Sequence, residues 1–255
     1  MRDLSRSGAR INSRIGKAIH DYSLIDDGDR IVVAVSGGKD SLTLIKFLSQ
    51  IKSWAPVDFE LFAVHIRADQ SCGGSVDTDG LIRIFDELGV AHRLADIEVT
   101  DEDGKTTCFW CSWNRRKALF KLAEELGCNK VALGHHKDDI VETMLMNLIY
   151  NGEVSAMNPR QEMFGGKITI IRPLCYVEEG MIRKYAREIG IPEQKSECPF
   201  GKDSKRQYIK DFIREAGKGC PKMDIKSNIF RSISRIREEY LDIKGEAGER
   251  VTRSQ

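Results

Sequence analysis

The feature that most limits how this chain can fold is Arg30-Ile31-Val32-Val33-Ala34-Val35, which runs straight into Ser36-Gly37-Gly38-Lys39-Asp40-Ser41. A continuous β-branched run reads as a strand buried on both faces, and paired glycines directly after it require a turn. Apolar residues then recur at helical spacing through Leu42, Ile45, Leu48 and Ile51, so the turn opens a helix. Such a strand–turn–helix junction collects unpaired backbone N–H groups and the positive end of a helix dipole, which suits an anion.

The alternation continues downstream. Strands are expected at 59–66, 92–99, 130–134 and 167–171, with helices at 41–54, around Leu81 to Leu88, at 112–126 and at 138–150. Strands separated by helices of this length imply right-handed crossovers, hence an α/β fold: an open parallel five-stranded sheet with helices on both faces. Beyond Pro173 the strand pattern stops, and 177–189, 203–216 and 225–240 read as helices. The expected organisation is a basic N-terminal helix over 1–25, a nucleotide-binding domain over 26–175, a helical C-terminal extension over 176–244 and a flexible tail over 245–255. In open sheets of this kind ligands bind at the carboxyl ends of the strands.

Composition narrows the class. The 255 residues carry 40 Lys+Arg against 39 Asp+Glu, and no apolar run approaches the ~20 residues of a membrane span. No signal-peptide pattern follows the first basic residues, so a cytoplasmic protein without membrane contact is expected. The balanced charge is unevenly spread, with eighteen basic and twelve acidic residues from Arg183 onward. This reads either as solvated helix faces or as a polyanion-binding surface.

Seven cysteines in a chain of this size point to metal or redox chemistry rather than disulfide staples. Cys108-Phe109-Trp110-Cys111 precedes the 112–126 helix, with Arg115 and Arg116 in its first turns. Alone the pair fits half a zinc site, a redox pair or two ligands of an iron–sulfur cluster. Cys128 and Cys175 read as buried apolar residues. Cys198, before Pro199 in a polar loop followed by Lys202, Lys205 and Arg206, does not. Cys72 and Cys220 fit a fourth ligand or incidental loop thiols. Asp138 and Asp139 fit either Mg²⁺ binding or helix capping. Trp110, Trp113 and Tyr208 are stacking candidates, with core packing expected of at least two.

The glycine loop lacks the spacing of a Walker A loop and of a dinucleotide fingerprint. Ser36-Gly37-Gly38-Lys39-Asp40-Ser41 resembles the PP-loop of the ATP pyrophosphatases, which adenylate a carbonyl oxygen and release pyrophosphate. Combined with the C-x2-C pair, a distant third cysteine, Gly134-His135-His136-Lys137-Asp138-Asp139 and Ile171-Arg172-Pro173-Leu174, the chain resembles the TtcA family of tRNA 2-thiocytidine synthetases over roughly residues 15–240. The usual Cys-x-x-Cys of the family's third cysteine region is here Lys195 and Cys198, and Cys220 is an extra thiol.

The resemblance implies that Cys108, Cys111 and Cys198 hold a [4Fe–4S] cluster and leave one iron open. It implies ATP at Ser36 to Ser41 with His65, Gly134 and His135, and Mg²⁺ through Asp40, Asp138 or Asp139. Lys39, Asp40, Asp138 and Asp139 would serve adenylation of a pyrimidine carbonyl, C2 of an anticodon-loop cytidine. Arg115, Arg116, Lys205 and Arg206 would contact tRNA. The implied partners are tRNA, a sulfur donor (a cysteine desulfurase or inorganic sulfide) and a second copy in a homodimer. Two alternatives stand beside this: a PP-loop ligase or sulfurtransferase acting on tRNA uridine or a small molecule, with zinc or persulfide at the cysteines, and a non-catalytic nucleotide-binding regulator.

Overall fold

A computed structural model describes residues 5–69, 76–100, 106–191 and 204–240. Its strands are β1 (Asp29–Ala34), β2 (Phe59–Ala68), β3 (Ala91–Ile97), β4 (Lys130–Ala132), β5 (Arg160–Met163) and β6 (Ile168–Ile171). Its α-helices are α1 (Arg6–Tyr22), α2 (Lys39–Lys52), α3 (Thr78–Glu87), α4 (Cys108–Glu125), α5 (Lys137–Met146), α6 (Glu179–Glu188), α7 (Ser204–Gly219) and α8 (Ile225–Ser232). No helix among the described residues is long and apolar enough to cross a membrane.

The sheet has six strands in the order β3-β2-β1-β4-β6-β5. Five are mutually parallel, and β5 pairs antiparallel with β6, from Arg160 opposite Ile171 to Met163 opposite Ile168. The expected five-stranded parallel sheet is therefore correct in class and short by one edge strand. Arg160-Gln161-Glu162-Met163 has no apolar alternation, because an edge strand with exposed faces needs none. A turn of left-handed residues, Phe164, Gly165 and Gly166, joins it to β6.

The order reverses between β1 and β4, the switch point where such sheets leave a crevice. Both faces are covered. Leu44, Ile45, Phe47 and Leu48 of α2 are fully buried against Ile31 and Val33, in a core that also takes Ile11, Ile15 and Ala18 of α1. Leu119 and Ala123 of α4 pack on Val32, Val64 and Val131 from the other side. In the C-terminal part, Ile209 and Ile213 of α7 pack on Val141 and Leu145 of α5. Helix α5 ends earlier than expected, passing at Met146 into a π-helical turn over Asn147–Asn151. The last expected helix likewise stops at Ser232, with a 3₁₀ turn at Glu238–Tyr240.

At the end of the strands opposite the crevice, the Lys130 ammonium lies 2.5 Å from Asp29, and both side chains are only 4% exposed. Asp29 also accepts from the Asp26 amide at 2.6 Å and from Asn129 Nδ2 at 2.7 Å. Removing one member of a satisfied buried pair leaves an unanswered charge, which costs ~3–5 kcal/mol. Lys130→Met is expected to lose about that much in urea unfolding, and Lys130→Met with Asp29→Asn to recover most of it.

Candidate active site

The Ser36–Ser41 loop leaves β1 and enters α2 through Gly37, whose φ of +87° is open to glycine at little cost. Gly38 is the N-cap and offers no side-chain cap, so the first-turn N–H groups of α2 face outward without an intrahelical partner. The loop braces itself. Ser36 N–H donates to Ser41 Oγ at 3.1 Å, and that hydroxyl donates to the Gly38 carbonyl at 3.0 Å. From across the switch point, Gly134 after β4 presses on the same turn: a Cβ there would sit 3.1 Å from Ser41 N and 3.3 Å from Asp40 C.

Charges converge on this turn from three other segments. Lys39 Nζ lies 3.1 Å from Asp40 Oδ2 and 3.1 Å from Glu179 Oε1 at the start of α6. Burial opposes the Lys39 charge, yet Asp40 and Glu179 together hold its pKa above the ordinary value. Burial likewise pushes Glu179 upward, and the hydrogen bond and charge of Lys39 overcome it to hold the carboxyl at about 2. Asp138 is 3% exposed, accepts from the Glu179 amide at 2.8 Å and pairs with Lys226 of α8. These contacts keep its pKa low against the cost of burial.

Asp139 closes a capping box with His136: its carboxylate accepts from the His136 amide at 3.0 Å, while His136 Nδ1 accepts from the Asp139 amide at 3.4 Å. Both aspartates thus hold helices in place, and Asp40 has the carboxylate oxygen to spare. Its Oδ1 is buried with no hydrogen-bond partner, 3.9 Å from His136 Nε2.

Beside the turn, a pocket of about 220 Å³ opens at the strand ends, with Val35, Ser36, Ile66, Leu133 and His135 on the sheet side and Arg115, Arg116 and Leu119 of α4 opposite. His65 is buried in β2 with Nδ1 2.7 Å from the Val35 carbonyl, which makes that nitrogen the donor; burial lowers its pKa and keeps the ring neutral. Burial takes His135 down to about 4. His135 Nδ1, Arg115 Nε and Arg172 Nε are, like Asp40 Oδ1, buried and without a partner. Of these, His135 and Arg115 line the pocket and Asp40 stands on the glycine turn beside it, so a polar ligand bound there would answer three buried atoms that the fold leaves unpaired. A nucleoside triphosphate fits this donor set: open amides and cations for phosphate, an apolar slot for a base, and Asp40 Oδ1 for a divalent cation bridged by phosphates. Among the described residues no three His, Cys, Asp or Glu side chains form a ready metal cage.

The C-x2-C pair is placed differently from the expectation that it precedes a helix. Cys108 is the first residue of α4, and Cys111 sits in its first turn, 7% exposed, behind Thr107, which caps Trp110 N–H at 3.1 Å. Cys198, like Cys72, lies outside the described residues. Cys128 and Cys175 are buried, and burial raises their thiols to about 11 and about 12, as expected of packing residues. Cys220 is exposed.

Trp110, Trp113 and Tyr208 are 48%, 52% and 59% exposed, so the core-packing expectation does not hold for them. Arg206 lies 3.5 Å from both Asp139 and Glu142, which ties α7 to α5, and Lys205 lies over the Tyr150 ring at 5.1 Å. Sequence reasoning missed Glu179 and Lys226 as partners of the loop lysine and of Asp138. It quoted Arg172 only within a motif, without a role.

His135 carries a pH signature. Its folded pKa lies below that of the unfolded chain, so the unfolded state binds the extra proton first, and stability present above pH ~6.5 is lost as the pH falls toward 4. Between pH 6.5 and 4.5 the midpoint of thermal unfolding is expected to fall less for His135→Gln than for the wild type.

The PP-loop domain family matches residues 8–216. The tRNA-cytidine(32) 2-sulfurtransferase of Geobacter sulfurreducens is 40% identical over 240 residues, covering 91% of this chain and 91% of that protein. That of Alkalilimnicola ehrlichii is 39% identical over 239 residues, 91% of this chain and 74% of that protein. Among solved structures, the U34-tRNA thiolase NcsA from Methanococcus maripaludis, determined with its [4Fe-4S] cluster, superposes with a TM-score of 0.73 at 22% identity, over 93% of this chain and 80% of that one. A family match across most of the chain, joined to relatives near 40% identity along nearly its whole length, places this chain in the PP-loop family and, within it, among the TtcA enzymes, the tRNA-cytidine(32) 2-sulfurtransferases.

Proposed function

We propose that this chain is an ATP-dependent tRNA thiolase that exchanges the C2 oxygen of an anticodon-loop cytidine for sulfur, with Cys108, Cys111 and Cys198 holding a [4Fe–4S] cluster. The observation that carries this reading is that one helix joins the cysteine pair to the pocket. Helix α4 begins with the two cysteines and, one to two turns later, lines the pocket beside the glycine turn with Arg115, Arg116 and Leu119.

A carbonyl oxygen is a poor leaving group, and adenylation makes it a good one. The cytidine O2 attacks the α-phosphorus of ATP, the bond to the pyrophosphate oxygen breaks, and the base carries AMP on that oxygen. Sulfur then forms a bond to C2, and the oxygen departs with AMP. Lys39 and the first-turn amides of α2 offset the charge growing on pyrophosphate. Asp40, whose Oδ1 is unpartnered, would supply a carboxylate oxygen to Mg²⁺, which would offset phosphate charge. Arg115, which lines the pocket with its Nε unpartnered, would donate to the nucleotide, and the neutral His65 and His135 stand near it without adding charge. Asp138 and Asp139 act as positioning residues, fixing α6 and α5 against the turn. When bound, the cluster contributes an iron without a cysteine ligand as the point of sulfur delivery. A base reached in this way must be unstacked, which a loop nucleotide is already disposed to be.

Protein purified without oxygen is expected to contain close to four iron and four sulfide per chain, and Cys198→Ala to lose both along with formation of 2-thiocytidine in tRNA. Lys39→Ala is expected to keep the cluster and to lose at least a hundredfold in pyrophosphate release. Stoichiometric zinc in place of iron would overturn the cluster assignment and favour the persulfide alternative.

A further inference from the structure

A second groove, about 760 Å³, opens between α4 and the β5–β6 side of the sheet. Arg116 and Phe120 line both this groove and the nucleotide pocket, so the two are continuous. From Trp113 to Glu124 the groove follows α4 for about 16 Å. Its lining is mixed in a specific way.

Trp113 and Phe164 are 52% and 57% exposed, and Phe120 meets Phe164 edge-on with ring centroids 5.2 Å apart. Phe164 stands on the turn between β5 and β6 with φ +53°, a conformation unfavourable for a bulky side chain. The chain thus holds a large ring in solvent on a backbone that resists it, which neither stability nor solubility explains.

Around this apolar floor lie four exposed cations, Arg116, Lys117, Lys121 and Lys167, against one acidic residue, Glu124. Lys121 is 3.7 Å from Glu125, and the other three form no ion pair among the described residues. Unpaired cations ringing exposed aromatic faces repel one another and fit a ligand that brings flat rings and negative charge together. Single-stranded nucleic acid does both, through bases that stack and phosphates that pair. An apolar face of a second copy of this chain would leave the cations unanswered.

We propose that this groove binds the single-stranded nucleotides flanking the modified cytidine, their bases on Trp113 and Phe164 and their phosphates at Lys117, Lys121 and Lys167. The inference rests on the tRNA reading above and adds the path of the strand, along α4 and away from the basic C-terminal helices.

The test uses the full-length protein and a fluorescently labelled anticodon stem–loop RNA, with binding followed by anisotropy across a salt series. Phe164→Ala is expected to weaken binding about tenfold. Lys117→Gln with Lys167→Gln is expected to flatten the slope of log affinity against log salt by about 1.4, two phosphates' worth for a single strand. ATP affinity should stay at the wild-type value in all variants, since none of these residues lines the nucleotide pocket. Wild-type RNA affinity and slope in these variants would overturn the groove and leave the tRNA reading standing. So would unchanged RNA binding with a shifted monomer–dimer equilibrium in sedimentation, which would assign the face to a second copy. Failure of the wild-type protein to bind the stem–loop would overturn both.

Discussion

Asp138 is a carboxylate buried to 3% exposure, and a charge that deep must be answered or neutralised. The answers come from far along the chain. The amide of Glu179 approaches to 2.8 Å at the start of α6, and Lys226 reaches in from α8. Its neighbour Lys137 bonds to Ser227 at 2.6 Å and lies 3.4 Å from Glu178, tying the same two helices a second time. Breaking such a pair from one side is costly, so the C-terminal helices are fixed to the end of β4 by electrostatics as well as by the apolar contact of α7 with α5. The position of Glu179 then decides that of Lys39. A loop lysine at residue 39 is therefore oriented by a helix some 140 positions later, through a carboxylate at residue 138.

The same arrangement leaves the site electrically unfinished. Lys39 is shared between Asp40 and Glu179, and a phosphate entering this turn would compete with both carboxylates for it. Arg115 and Arg172 have no such competitor at their Nε atoms. Burial lowers the Arg172 pKa to about 10, which leaves it charged at neutral pH but poorly solvated. Neutral histidines on either side keep this local field from being spread over further charges. The turn is held ready, and the unfavourable part of that readiness is borne by the charge pairs around Asp138.

What the amino-acid order revealed followed from local rules. The β-branched run of β1, the Leu42-Ile45-Leu48-Ile51 stripe of α2 and the glycine turn between them each follow from a period or a backbone requirement, and the structure buries all four stripe residues as that pattern demands. Strand β5 was invisible because its residues are polar on both faces and its pairing is imposed by β6. The start of α4 was misread because Thr107 caps it with no acidic first turn behind it, while Phe109, Trp110 and Trp113 obscure the helical period. Trp110 and Trp113, with Tyr208, fit a core by residue type alone, yet all three are exposed. Exposure is a tertiary property, and so is the pairing of Glu179 with Lys39: neither leaves a local mark at the residues concerned.

Helix α4 brings these observations together. Cys111, Arg115 and Leu119 recur at a spacing of four, so they share one face of a rigid rod, about 6 Å apart per step along its axis. Cys111 and Leu119 are both 7% exposed, and the stripe ends on Ala123 in the core under β1 and β4. The distance between the thiol and the nucleotide pocket is therefore set by helical hydrogen bonds rather than by loop geometry. A cysteine pair on a loop would sample positions several ångströms apart, and reaction rates fall steeply with such misplacement. Anchoring the pair in the first turn of a helix whose later turns line the pocket would let one element hold the two proposed chemistries at a constant separation. On the proposed strand path, the exposed face of that helix would guide the base between them.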